Sequence, residues 1–349
     1  MLEHPAQENH NNPARSRILT CMSGDNGQSN FPVDLYREEV VPQPYPPPWI
    51  LPPRESRSWR SLAVAVGLFA ATAVTTLAAG VQFAGAYALG RAPALDEFYT
   101  GYFKPFTEPR LFLAGVPFAF TLLGILLAHE LGHFFACRHY GIRATYPFFV
   151  PAPTLIGTLG AFIRIRSPII NRRALFDMAL AGPLVGFLIA VPALGIAILH
   201  SKVVAAGATA LDPVFGRPLV ERLLETWLRP GVSPSRLLLH PVGRAAWVGL
   251  FATALNLLPA GQLDGGHILC ALTSERHRWI SIAVAVVLLP LGWFYWFGWF
   301  LWAVLLLAVG FRHPPLLDGW EPLDRTRRIW TAVALAILLL CFMPAPFAV

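Results

Sequence analysis

The chain reads as an all-α polytopic membrane protein with about six transmembrane helices, up to seven, and a short membrane-associated β-hairpin or re-entrant segment. Three observations predict this. Only 13% of the 349 residues are charged, where soluble domains average about one quarter, and the mean hydropathy is +0.52. Apolar runs long enough to cross a bilayer recur, with arginines gathered at one end of each. One further apolar stretch, 147–166, holds too many prolines and glycines to be a helix.

Residues 1–58 are polar and Pro-rich, with seven prolines between Pro42 and Pro53, and predict a disordered cytoplasmic tail. No charged segment leads there into an apolar core, so no secretory signal peptide is expected. The first span covers Leu62 to about Ala84 behind Arg54, Arg57 and Arg60, which places the N-terminus in the cytoplasm. The region 59–110 is thus one helix and a loop. Phe112 to about His139 returns to the inner side, followed by Arg138 and Arg143.

The 147–166 stretch ends in Leu159-Gly160-Ala161-Phe162-Ile163, which suits a short strand. Backbone left unpaired in lipid is costly, so the stretch is expected to be covered by protein or to line a wet cavity. Its strand edge offers a place for an extended peptide. The third span runs from about Ala174 to Leu199. It contains Gly182-Pro183 and Gly186, small residues that allow close helix approach. Residues 200–243 form a mixed-charge extramembrane segment. The fourth span begins near Arg244 and breaks at Pro259 and the Gly265-Gly266 pair. Trp279 to Gly310 is one long span or a hairpin, and the arginines at 325, 327 and 328 favour the hairpin. The last span covers about Ile329 to Met343. The C-terminal helices thus occupy 276–349.

Within the second span stands His129-Glu130-Leu131-Gly132-His133. Residues four apart share a helix face, so both imidazoles aim at one point and Glu130 reaches a water held there. This is the H-E-x-x-H arrangement of zinc hydrolases, two ligands and a general base. A tetrahedral zinc needs one more protein ligand and leaves a place for water. Asp264, near the inner end of a later span, lies at a matching depth; His267 is its rival, one helical turn further out. His139 points to another face. The four cysteines are scattered, and Cys137 and Cys270, near the two halves of the site, read as small hydrophobes. The net charge of +7 marks membrane orientation, not nucleic-acid binding. The competing reading is an ion- or proton-coupled transporter that uses the same His, Glu and Asp cluster as a relay.

His129 to His133, Gly182-Pro183, and Asn256-x-x-Pro259-x-x-x-Leu263-Asp264-Gly265-Gly266 together resemble the site-2 protease family of intramembrane zinc metalloproteases. The likeness covers about residues 111–275, the expected catalytic core. It implies one Zn2+ per chain on His129, His133 and Asp264, with Glu130 activating water. It also implies that Asn256 orients substrate or stabilises the oxyanion. The implied partners are a transmembrane protein substrate and membrane lipid, and the implied process is regulated intramembrane proteolysis. The expected location is the bacterial inner membrane.

Overall fold

The computed structural model describes residues 59–91, 101–169, 171–205, 215–309 and 321–347. The expectation of a disordered tail over 1–58 lies outside the described residues. Nine helices of at least nine residues follow in order among those described: α1 Trp59–Ala88, α2 Phe112–His139, α3 Arg172–His200, α4 Leu219–Leu228, α5 Pro241–Asn256, α6 Asp264–Leu272, α7 Ser274–Phe294, α8 Gly298–Val309 and α9 Arg325–Cys341. Among the described residues four segments, Trp59–Ala88, Pro109–His139, Arg172–His200 and Ser274–Phe294, are long and apolar enough to cross a membrane.

The remaining apolar helices are shorter, and each has a local cause. α5 stops after 16 residues, about 24 Å at 1.5 Å per residue, where Leu257 to Leu263 turn the chain into α6. The break contains Pro259, as the sequence predicts, whereas Gly265 and Gly266 fall in the first turn of α6 rather than in the break. α7 and α8 form the hairpin: Leu288 and Ala285 of α7 bury against Trp299, Ala303 and Leu306 of α8. Trp299 Nε1 donates to the Pro344 carbonyl at 2.7 Å and so ties the hairpin to the chain after α9.

α2, α3 and α5 pack against one another at the centre, with α1 on α2 and α6 on α3. Glycine removes the side-chain bulk where the backbones meet. A β-carbon at Gly80 of α1 would lie 2.5 Å from the Gly115 carbonyl oxygen of α2, and one at Gly132 of α2 would lie 2.6 Å from the Ala181 carbonyl oxygen of α3.

Between α2 and α3 the expected hairpin is present. β1 (Phe148–Pro151) pairs antiparallel with β2 (Thr158–Phe162), Phe148 opposite Phe162 and Phe149 opposite Ala161. β1 faces α1, where Phe149 is buried and meets Phe69 edge-on at 5.0 Å. The tip docks on α1 as well. Gly157, at φ 78°, is in the left-handed region that favours glycine, and its carbonyl accepts from Thr75 Oγ1 at 2.6 Å. The segment after α3 holds a second two-stranded pair, β3 (Lys202–Val203) with β4 (Leu237–Leu238), and the helix α4 between them.

Candidate active site

α2 presents His129, Glu130 and His133, all buried. Asp264 begins α6, where the turn out of α5 delivers it to the same point. His129 Nε2 and His133 Nε2 are 3.1 Å apart, and each lies 3.3 Å from Asp264 Oδ2. These three residues form a group able to hold a metal ion, and it does not include His267. Two ligands on a tetrahedral ion at about 2.0–2.1 Å from each stand about 3.3 Å apart. The observed triangle matches that edge on all three sides, so the residues fit zinc.

Two glycines in the first turn of α6 explain how Asp264 arrives there. A β-carbon at Gly265 would overlap the Leu257 carbonyl oxygen, and one at Gly266 would lie 2.7 Å from the Ala260 carbonyl oxygen. Bulk at either position would push α6 away from the end of α5. His277 Nε2 and Ser281 Oγ of α7 also brace the turn, each 3.1 Å from the backbone of Gly261.

His133 is oriented from α3. Its Nδ1–H donates to the Met178 carbonyl at 2.8 Å, which leaves the Nε2 lone pair facing the ligand triangle. Gly182 and Gly186 have a sharper role than close helix approach. A β-carbon at Gly182 would overlap His133 Nε2, and one at Gly186 would lie 3.2 Å from His129 Nδ1. The two glycines, one turn apart, open the space that the imidazoles fill. Their i, i+4 spacing is a signal in the sequence, whereas the Met178 carbonyl leaves none.

Asn256, the last residue of α5, puts Nδ2 3.3 Å from His129 Nε2, so it joins the cluster. Glu130 is hydrogen-bonded by the backbone of Ile163, the residue after β2. The hairpin therefore ends against the carboxylate. Cys137 and Cys270 are buried in the hydrophobic core, in keeping with their reading as small hydrophobes. His139 is exposed at the end of α2.

Fold and site define a polytopic helical protein with a buried H-E-x-x-H centre completed by an aspartate from a broken helix. The sequence profile of Peptidase family M50 matches residues 117–297, more than half of the chain. The chain belongs to that family. It is similar to the probable zinc metalloprotease EGY2, chloroplastic, of Arabidopsis thaliana, 30% identical over 333 residues, 88% of this chain and 54% of the relative. The probable zinc metalloprotease EGY1, chloroplastic, of Oryza sativa subsp. japonica is 35% identical over 171 residues, 47% of this chain and 28% of the relative. The chain thus spans about half, or less, of the length of these curated relatives. No solved structure matches it. The transporter alternative finds no support in these similarities.

Proposed function

We propose that the protein is a zinc-dependent intramembrane endopeptidase that hydrolyses a peptide bond within or near a transmembrane segment of another protein. The observation that carries this reading is the ligand triangle of His129, His133 and Asp264 beside Glu130. When bound, zinc supplies Lewis-acid polarisation of the scissile carbonyl and a water of lowered pKa. Glu130 takes the proton as the water oxygen bonds to the carbonyl carbon. It hands that proton to the departing amine nitrogen as the C–N bond breaks. Asn256, whose Nδ2 lies 3.3 Å from His129 Nε2, would donate to the developing oxyanion. Met178 holds the His133 ring in register through its carbonyl.

A helical substrate hides its carbonyls in its own hydrogen bonds, so it must unwind before it reacts. The hairpin supports one way to hold the opened stretch. β2 pairs with β1 on one edge, exposes Leu159 and Phe162, and ends at the Glu130 contact. An extended peptide added to its other edge runs toward the carboxylate. The core of this activity is assigned to 111–275. The arginine distribution supports a cytoplasmic N-terminus; the relatives named above are described as chloroplastic.

The test uses detergent-purified full chain. Near one zinc per chain is expected in the wild type and in Glu130→Gln, and little in Asp264→Ala or His133→Ala. Cleavage of a single-span test protein by Glu130→Gln should fall about 10²- to 10⁴-fold. Undiminished cleavage by that variant, or wild type that binds no zinc when supplied with it, would overturn the reading.

A further inference from the structure

The helix α4 lies outside the candidate spans, yet it turns its acids inward and part of its apolar surface outward. Glu221 and Glu225 are buried, while Leu219, Leu223 and Trp227, four residues apart, are 48%, 55% and 81% exposed. Spacing of four keeps the three on one side of the helix. In water this stripe would be an unexplained liability for an extramembrane helix of ten residues.

Its surroundings say what meets it. α4 is fixed to the end of a candidate span: the Arg229 guanidinium caps α3, Nε donating to the Ile198 carbonyl at 3.2 Å and Nη2 to that of Leu199. Leu228 closes on Gly195 of the same helix. The apolar run of α3 stops at Leu199, before His200, Ser201 and Lys202, so the end of α4 stands at the level where hydrocarbon gives way to head groups. Tyr87 at the end of α1 shares that level, its hydroxyl donating to the His200 carbonyl at 2.7 Å. Tyr and Trp collect at this depth in membrane proteins because one end of each ring is apolar and the other polar. The exposed Ile196 and Leu199 of α3 provide an adjoining apolar surface. Arg222 on α4 is an exposed cation suited to lipid phosphate, and Lys202, also exposed, donates to the Tyr87 carbonyl at 2.8 Å at the end of α1.

We propose that the Leu219, Leu223 and Trp227 stripe of α4 is a lipid-contact surface seated at the head-group boundary of the membrane on the side where α3 ends. The partner is the phospholipid itself, its acyl boundary under the stripe and its phosphates at Arg222. The inference rests on α3 being a membrane span and not on proteolysis, so its failure leaves the protease reading untouched.

Spin labels on single introduced cysteines test it in the full chain, with Cys21→Ser, reconstituted into phosphatidylcholine and phosphatidylglycerol bilayers. Leu223→Cys and Trp227→Cys report on the stripe; Thr226→Cys on the same side replaces either if it fails to fold. Leu188→Cys on α3 gives the lipid reference and Ser235→Cys the aqueous one. The ratio of collisions with oxygen to collisions with a water-soluble nickel chelate should be several-fold higher on the stripe than at Ser235, approaching that at Leu188. A ratio equal to that of Ser235 overturns the proposal. Labels shielded from both reagents overturn it too, in favour of cover by protein such as a second copy of the chain.

Discussion

Gly182 lies directly against His133: a β-carbon at the glycine would overlap the imidazole Nε2. The metal-facing atom of one helix is thus accommodated by an absent side chain on the next. Gly182→Ala should displace His133 from the ligand triangle and weaken zinc retention by about 100-fold, at the upper end of what outer-shell changes cost. Gly186→Ala meets His129 only at 3.2 Å and should cost less. Chelator competition on the two purified variants ranks them, and equal retention in both would contradict the geometry.

The C-terminal helix reaches the site through one ion pair. Arg327 of α9 grips Asp177 of α3 with two nitrogens, Nε at 2.8 Å, and also contacts Tyr140, which follows α2. Asp177 immediately precedes Met178, the partner of His133. Arg327→Ala should lower stability by about 2 kcal/mol, as expected for a charge-assisted hydrogen bond lost from a half-buried pair. It should also speed zinc loss to a chelator. Arg327→Lys keeps the charge but not the fork, and should recover only part of both. Thermal unfolding in detergent and chelator kinetics report the two effects separately.

Burial and the neighbouring Glu225 push the Glu221 carboxyl from its ordinary 4.5 up to about 8, against the pull of Arg244, Arg217 and Arg222. The folded protein therefore keeps this proton over a range where the unfolded chain has released it. Stability from this group is full below about pH 4.5 and is lost as pH rises through about 8. Glu221→Gln, permanently neutral, should flatten the fall in unfolding temperature between pH 5 and 9. An unchanged slope in that variant would assign the pH dependence elsewhere.

The hairpin tip offers a separation of binding from metal chemistry. A side chain at Gly157 would overlap the Thr75 carbonyl oxygen and strain a backbone at φ 78°. Gly157→Val should lift the tip from α1 and reduce cleavage of a helical substrate about tenfold, while bound zinc stays near one per chain. Loss of zinc in step with cleavage would show that the hairpin supports the fold and not the substrate.

What the sequence made legible was local chemistry at fixed spacing. His129 and His133 are four residues apart on one helix, so their shared face follows from geometry alone, with Glu130 next in sequence. The break at Pro259 was readable because proline acts on its own backbone, whereas Gly265 and Gly266 prove to be the first turn of the next helix. The α7–α8 hairpin was only favoured, because a long apolar run looks alike straight or folded until Trp299 and Leu288 meet. Among the described residues four helices have the full length and apolarity of a span, while α5, α8 and α9 are shorter, at 16, 12 and 17 residues. The carbonyl that orients His133 and the Arg327–Asp177 pair, 150 residues apart, are tertiary contacts with no local pattern to announce them.

The two halves of the ligand triangle also differ in when they are made. Asn256 stands 127 residues beyond His129, and Asp264 follows it. During synthesis α2 therefore enters lipid carrying ionisable side chains whose carboxylate partner has yet to leave the ribosome. Such groups are costly in hydrocarbon while they lack partners. α3 is the next long helix, and it brings both the Met178 carbonyl and the glycine-lined space for the rings. The order of the helices thus gives the nascent chain a shelter for its histidines before the site is complete.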